Sequence, residues 1–105
     1  MVRGDIRAIS LPRGRGHVQH GERYAVIVQT DDLLSLSNVV VCPTSHSAPR
    51  ARFHPEIDVG DDRTQVLCEM VSAVDARKLG EHVGHLTVDE LSSVDDALGL
   101  VLDLP

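Results

Sequence analysis

The sequence predicts a small, mainly β fold with helical additions: a strongly twisted sheet or partly open barrel, closed by one C-terminal helix. Three observations predict it. Short apolar runs recur between glycine- and proline-bearing turns from residue 3 to residue 86. A capped helical stripe is confined to the end of the chain, at 87–104. The 105 residues, 42% of them hydrophobic, suit one domain over 1–105 with one modest core.

Each element follows from local pattern. "RGDIRAISL" (3–11) reads as a first strand, and "PRGRGHVQHGE" (12–22), with three glycines and no apolar period, as a long loop. "RYAVIVQT" (23–30) reads as a second strand, its unbroken apolar stretch suggesting burial on both faces. "DDLLSLS" fits a helical turn, and "NVVVCPTS" (38–45) a third strand ended by Pro43. In "RFHPEIDV" (52–59) Arg52, His54, Glu56 and Asp58 alternate with Phe53, Pro55, Ile57 and Val59, which predicts a half-buried strand. Pro55 puts that strand at an edge or bulge, because proline cannot donate to a ladder. "GDDR" (60–63) is a turn and "TQVLCEMVSAV" (64–74) one strand region. "DARKLG" (75–80) predicts helical turns stopped by Gly80, and "EHVGHL" (81–86) a short extended piece. Thr87 with Glu90 forms a capping box, and Leu91, Val94, Leu98, Val101 and Leu102 make one helical stripe.

The totals narrow the function classes. No apolar run is long enough to cross a bilayer, and "MVRGDIRAISL" is a poor signal peptide, so a cytoplasmic, soluble protein without membrane association is expected. Cys42 and Cys68 lie in apolar, β-branched surroundings and read as buried, reduced thiols rather than a disulfide or a zinc site. The net charge is −6, but it is unevenly distributed. Residues 1–54 hold seven arginines against four acids, a balance of +3; residues 55–105 hold three basic residues against twelve acids, a balance of −9. Such a chain can present a cationic side to a polyanion despite its overall sign, although solvated charge distributed by chance explains the asymmetry equally well.

Candidate chemistry gathers at two places. "PTSHS" (43–47) sets Thr44, Ser45, His46 and Ser47 in a polar cluster after Pro43. If strands two and three pair antiparallel, Arg23 at the start of one lies beside Thr44 at the end of the other. A permanent cation beside hydroxyl donors can clamp an oxyanion. His17 and His20 in the glycine-rich loop, and His46 in the cluster, are candidate acid–base groups, each of them also readable as an ordinary exposed loop histidine. His17 and His20 have metal-ligand spacing but no carboxylate or thiol in register, so no metal and no cofactor is expected. Phosphate-loop, nucleophile-elbow and kinase motifs are absent. With one Tyr, one Phe and no Trp there is no stacking platform; Tyr24 is the obvious stacking candidate.

Taken in order, "RGDI", "VQHGERYAVIV", "VVVCPTS", "FHPEI", "QVLCEMVSAVDARKLGEHVGHL" and "TVDELSSVDDALGLVLDL" resemble the MazF/PemK (Kid) toxins of type II toxin–antitoxin systems over nearly the whole chain. The resemblance implies an SH3-like barrel of about five to seven short strands with a C-terminal helix and short helical insertions. It also implies a homodimer and a sequence-specific, metal-independent endoribonuclease acting on single-stranded RNA (mRNA, tRNA or rRNA). The RNA's own 2′-hydroxyl attacks the adjacent phosphate, leaving a 2′,3′-cyclic phosphate and a 5′-hydroxyl. The implied partner is a cognate antitoxin with an acidic, partly disordered C-terminal segment. By the same resemblance Arg23 and Thr44 are the catalytic pair. Arg13, Arg15, Gln19, Tyr24, Ser45, Arg50 and Arg52 are the RNA-binding candidates, joined by His17, His20 and His46.

The chain departs from the family pattern at several positions. Tyr24 replaces a proline after the arginine, Val18 an acid, and His46 a glutamine; "MVS" (70–72) replaces a polar–x–basic motif with Met70 and Ser72 at its ends. "EH" (81–82) stands for a basic pair, followed by His85. Two non-enzymatic readings therefore stand beside the nuclease. One is a gyrase-poison-like toxin acting by protein binding, disfavoured by the lack of a C-terminal Trp. The other is an inactive binding module, kept open by the changes at 18, 70 and 72.

Overall fold

The strand Arg23–Ile27 (β2) organises the molecule, because both of its faces are buried. Tyr24 and Val26, with Val28 beyond the strand, join one apolar cluster, and Ala25 and Ile27 join another. An unbroken apolar run is what a strand with cover on both sides requires. The computed structural model describes residues 1–9 and 23–105. Among them β1 is Asp5–Ile9, β3 Asn38–Ser45, β4 Glu56–Val59, β5 Asp62–Val66, β6 Ser72–Asp75 and β7 Leu79–His85. The described residues hold a single α-helix, α1, at Val88–Leu102, and 3-10 turns at Asp31–Leu33, Cys68–Met70 and Ala76–Lys78. The strand order is β4-β5-β3-β2-β1-β7, with β6 also paired to β3, and every pairing is antiparallel. The result is a curled half-barrel with a C-terminal helix, as expected from the sequence.

The larger cluster lies between the sheet and α1. Ile6, Val26, Cys42, Ile57, Val66 and Cys68 from the sheet side meet Val94, Ala97 and Leu98 of the helix. Each fully buried Val or Ile side chain contributes about 1.5–3 kcal/mol of transfer free energy. The second cluster, on the opposite face, is Ile9, Ala25, Ile27, Val39, Val41 and Leu79. Cys42 and Cys68 are buried free thiols. The neighbouring Cys68 thiol, then burial, push the Cys42 thiol far above the ordinary thiol range.

The capping box forms as predicted: Glu90 N donates to Thr87 Oγ1 at 3.1 Å, and Thr87 N to Glu90 Oε1 at 2.8 Å. Glu90 Oε2 also accepts from Asp58 N at 2.8 Å, so the cap ties α1 to the outer strand β4. Arg3 reaches Asp95 at 2.6 Å and ties the start of the chain to the same helix. The basic and acidic halves are thus interleaved, with β1 seated between β2 and β7.

Several expected boundaries are corrected. β3 runs through Pro43 instead of stopping there. On its side away from β2 it changes partner at that point, from β6 at Asn38–Val41 to β5 at Thr44–Ser45, so residue 43 falls in neither of those two ladders while still standing opposite Ala25 of β2. The strand expected over 52–59 begins only at Glu56. His54 is buried, not on a polar face, because a turn (His54 N to Ala51 O, 3.0 Å) rolls it inward. Pro55 does precede an edge strand, as expected. The region 64–74 is two strands separated by the turn Cys68–Met70. Gly80 lies within β7 rather than ending a helix; a Cβ there would sit 3.2 Å from the Ala8 carbonyl. On α1, Ala97 is buried and Leu102 is 50% exposed, the reverse of the expected stripe at those two positions. No helix among the described residues is long and apolar enough to cross a membrane.

Candidate functional site

Antiparallel pairing brings the start of β2 to the end of β3. Ala25 stands opposite Pro43, and the ladder continues toward Tyr24 and Thr44. Arg23 Nη1 donates to the Thr44 carbonyl at 3.2 Å, and Thr44 Oγ1 donates to the Tyr24 carbonyl at 3.4 Å. The two residues singled out from the sequence are therefore in contact, but through the main-chain oxygen of Thr44. The Thr44 hydroxyl is buried, with its one proton directed at β2. Arg23 is half-buried, and a guanidinium has five donors, so this contact leaves most of its donors for another acceptor.

The rest of the polar cluster follows on the same strand end. Ser45 is buried; its Oγ lies 3.4 Å from Ser47 Oγ and accepts from Ser47 N at 3.3 Å. His46 is half-exposed, and its Nε2 meets both oxygens of Asp62, at 2.8 and 2.9 Å. The Tyr24 hydroxyl donates to Asp62 Oδ2 at 3.4 Å. Tyr24 is thus anchored in the core by its ring, with its polar tip at the site, and is no exposed stacking face.

Other candidates are placed as follows. Arg50 is exposed and pairs with Glu56 at 3.0 Å; Arg63 takes the same carboxylate at 2.9 Å and Asp58 at 3.0 Å. Arg63, then Arg50, hold the Glu56 carboxyl below the usual range. Arg52 is exposed. Arg13, Arg15, His17, Val18, Gln19 and His20 lie outside the described residues. Met70 is exposed on its 3-10 turn, and Ser72 is exposed at the start of β6. His82 and His85 turn to Asp5 of β1, at 3.3 and 2.8 Å. Among the described residues no group of three or more His, Cys, Asp or Glu is placed to hold a metal ion.

Two polar residues at the site escape a sequence reading. Local pattern absorbs Asp62 into a turn, yet the pairing of Val59 with Asp62 across Gly60-Asp61 delivers it to His46. Gly60 has φ of 61°, the positive value that two-residue hairpin turns take at this position. Gln65 stands opposite Ser45 and donates to the Ala48 carbonyl at 2.5 Å. Its Oε1 is buried without a partner among the described residues. The signal that could have found both is the β3–β5 register, which needs the partner change at Pro43.

A curled β half-barrel closed by one helix is a fold that this chain shares with several solved proteins. A mycobacterial endoribonuclease solved in complex with its cognate antitoxin superposes with a TM-score of 0.83 at 18% identity, over 100% of this chain and 97% of that one. The Mycobacterium tuberculosis toxin MazF-mt6 gives 0.80 at 19% identity, over 96% and 98%. The MazE–MazF complex of Deinococcus radiodurans gives 0.81 at 21%, over 100% and 97%. At these identities the likeness is one of fold. The chain belongs to the PemK-like, MazF-like toxins of type II toxin–antitoxin systems, whose family model matches residues 2–102. It is also 35% identical over 106 residues, 99% of each chain, to Rv3098A of Mycobacterium tuberculosis, which is named as a candidate toxin.

Proposed function

We propose that the chain is the toxin of a type II pair, acting as a single domain over residues 1–105. In this reading it cuts single-stranded RNA at preferred sequences without a metal, using the RNA's own 2′-hydroxyl. The observation that carries the reading is Arg23: a half-buried guanidinium fixed against the Thr44 carbonyl at 3.2 Å, beside Ser45, His46 and Ser47. Attack of the 2′-oxygen builds a phosphorane with added negative charge. A preoriented guanidinium stabilises that charge and holds the phosphate oxygens. Ser45 and Thr44 supply hydroxyls nearby. The Thr44 hydroxyl is buried with its proton on the Tyr24 carbonyl at 3.4 Å, so reaching phosphate requires that proton to turn and the strand end to open.

Arg23 and Thr44 are the catalytic pair in this reading. Ser45, Arg50 and Arg52 serve RNA contact with Arg13, Arg15, His17, Gln19 and His20; Tyr24, its ring in the core, presents only its hydroxyl to the site. The working form is a cytoplasmic homodimer. A cognate antitoxin silences it through an acidic, partly disordered segment, a partner supported by the relative solved with its own antitoxin. The test uses purified protein, a long defined RNA and EDTA, with ends mapped by primer extension. Discrete cuts that vanish in Arg23→Ala are expected. Uncut RNA, or cuts that persist in Arg23→Ala, overturns the reading.

A further inference from the structure

Tyr24, His46 and Asp62 come from β2, from the residue after β3 and from the start of β5, and they converge on one carboxylate. An ionised carboxylate only accepts, so the imidazole nitrogen facing Asp62 at 2.8 and 2.9 Å carries the proton. That nitrogen is Nε2, which makes Nδ1 of the neutral ring the one with a lone pair. Nδ1 has no hydrogen-bond partner among the described residues, and half of the side chain is exposed. The Tyr24 hydroxyl, donating to Oδ2, holds the carboxylate from the core side. The closing pair of the β4–β5 hairpin holds it from the other.

We propose that Asp62 is a positioning residue that fixes His46 as the Nε2–H tautomer and leaves Nδ1 as the general base of RNA cleavage. This rests on the endoribonuclease reading above. Nδ1 takes the proton of the 2′-hydroxyl while that oxygen bonds to the adjacent phosphorus. The bond from phosphorus to the 5′-oxygen breaks, and the leaving oxygen takes a proton from water. The hydroxide so formed takes the imidazolium's proton, which restores the ring. Asp62 faces the imidazolium during the step, as a carboxylate partner to a histidine does in other acid–base sites. Arg23, whose guanidinium carries only donors, is left to its electrostatic task. Among the described residues, the titratable and charged groups at this end of the sheet are Asp62 on β5 and the Tyr24 phenol on β2, with Arg23 at the start of the same strand.

The experiment measures kcat and KM against pH on an RNA oligonucleotide carrying a mapped cut. It uses the full chain, His46→Ala, Asp62→Asn and the double variant. His46→Ala is expected to lower kcat about 100-fold and to remove the acid limb of the profile. Asp62→Asn is expected to lower kcat about 10- to 100-fold with little change in KM. The double variant is expected to be no slower than His46→Ala, because Asp62 acts through His46. Asp62→Glu, which retains a carboxylate, keeps the acid limb. Additive losses, a wild-type profile in Asp62→Asn, or loss of the limb in Asp62→Glu overturns the proposal. Histidine 15N NMR gives a second readout, since a His46 proton on Nδ1 in the wild type overturns it whether or not RNA is cut. Cutting abolished by Arg23→Ala but untouched in His46→Ala and Asp62→Asn defeats this inference alone. An inert wild type defeats both readings.

Discussion

Two histidine–carboxylate pairs lie eight residues apart in the chain and have nearly equal bond lengths, yet they sit in different surroundings. His46 meets Asp62 at 2.8 Å, and His54 meets Glu69 at 2.6 Å. The His46 side chain is 50% exposed; that of His54 is 4% exposed. The decisive difference is the second ring nitrogen. In His54 it faces the Pro49 carbonyl at 2.7 Å, so both nitrogens point at acceptors and the cation is the form that satisfies both. Burial lowers the His54 pKa, but the Pro49 carbonyl and then Glu69 outweigh it and the net shift is upward. Such a ring holds the 49–54 segment to the Cys68–Met70 turn and has no nitrogen left to exchange a proton. A short bond to a carboxylate does not by itself make an acid–base group; access to the remaining nitrogen does.

Exchanging the two histidines for alanine should separate these roles. The largest effect is expected for His54→Ala on stability: a cavity and an unpaired Pro49 carbonyl, together about 2–4 kcal/mol, read by urea unfolding. The kcat of the folded fraction should stay near wild type. His46→Ala should do the opposite, changing stability by less than about 0.5 kcal/mol, as exposed substitutions do. A large stability loss in His46→Ala would erase the distinction.

The pH dependence of stability sharpens it. A histidine whose folded pKa is raised contributes stability that is fully present below its ordinary value of 6.5 and is lost as pH rises through the folded value. Unfolding free energies of wild type minus His54→Gln should therefore shrink as pH rises above that point. A difference that grows with pH contradicts the assignment.

Smaller effects are expected away from both pairs. Thr87→Ala removes the cap of α1 and should cost about 1 kcal/mol, read by thermal unfolding. Asp103 ends α1 in the left-handed region, at φ of 55°, without a basic residue in the last turn. Asp103→Gly should stabilise by about 0.5 kcal/mol.

These contrasts also mark how far the sequence could be read. The cap at Thr87, the double burial of β2 and the buried thiols were legible because each depends on neighbours in sequence or on plain hydrophobicity. The nearness of Arg23 and Thr44 was legible because antiparallel neighbours place one strand's start beside the next one's end. The roles of His54 and Asp62 were not. In "RFHPEIDV" a period of two is formally perfect, but a turn at Ala51–His54 takes the histidine out of that alternation and into the interior. Asp62 looks like one of two turn aspartates until β5 pairs with β3, and that pairing depends on β3 changing partner at a proline that local rules treat as a stop. Non-local register decided both, and no local period carries it.

The most direct measurement of the central claim is the chemistry of the cut ends. A defined RNA oligonucleotide is incubated with the wild type and with Arg23→Ala, and the fragments are weighed by mass spectrometry. Attack by the RNA's own hydroxyl predicts a 2′,3′-cyclic phosphate on one fragment and a 5′-hydroxyl on the other, with neither formed by Arg23→Ala. Fragments ending in a 3′-hydroxyl and a 5′-phosphate, or an intact oligonucleotide, would contradict it.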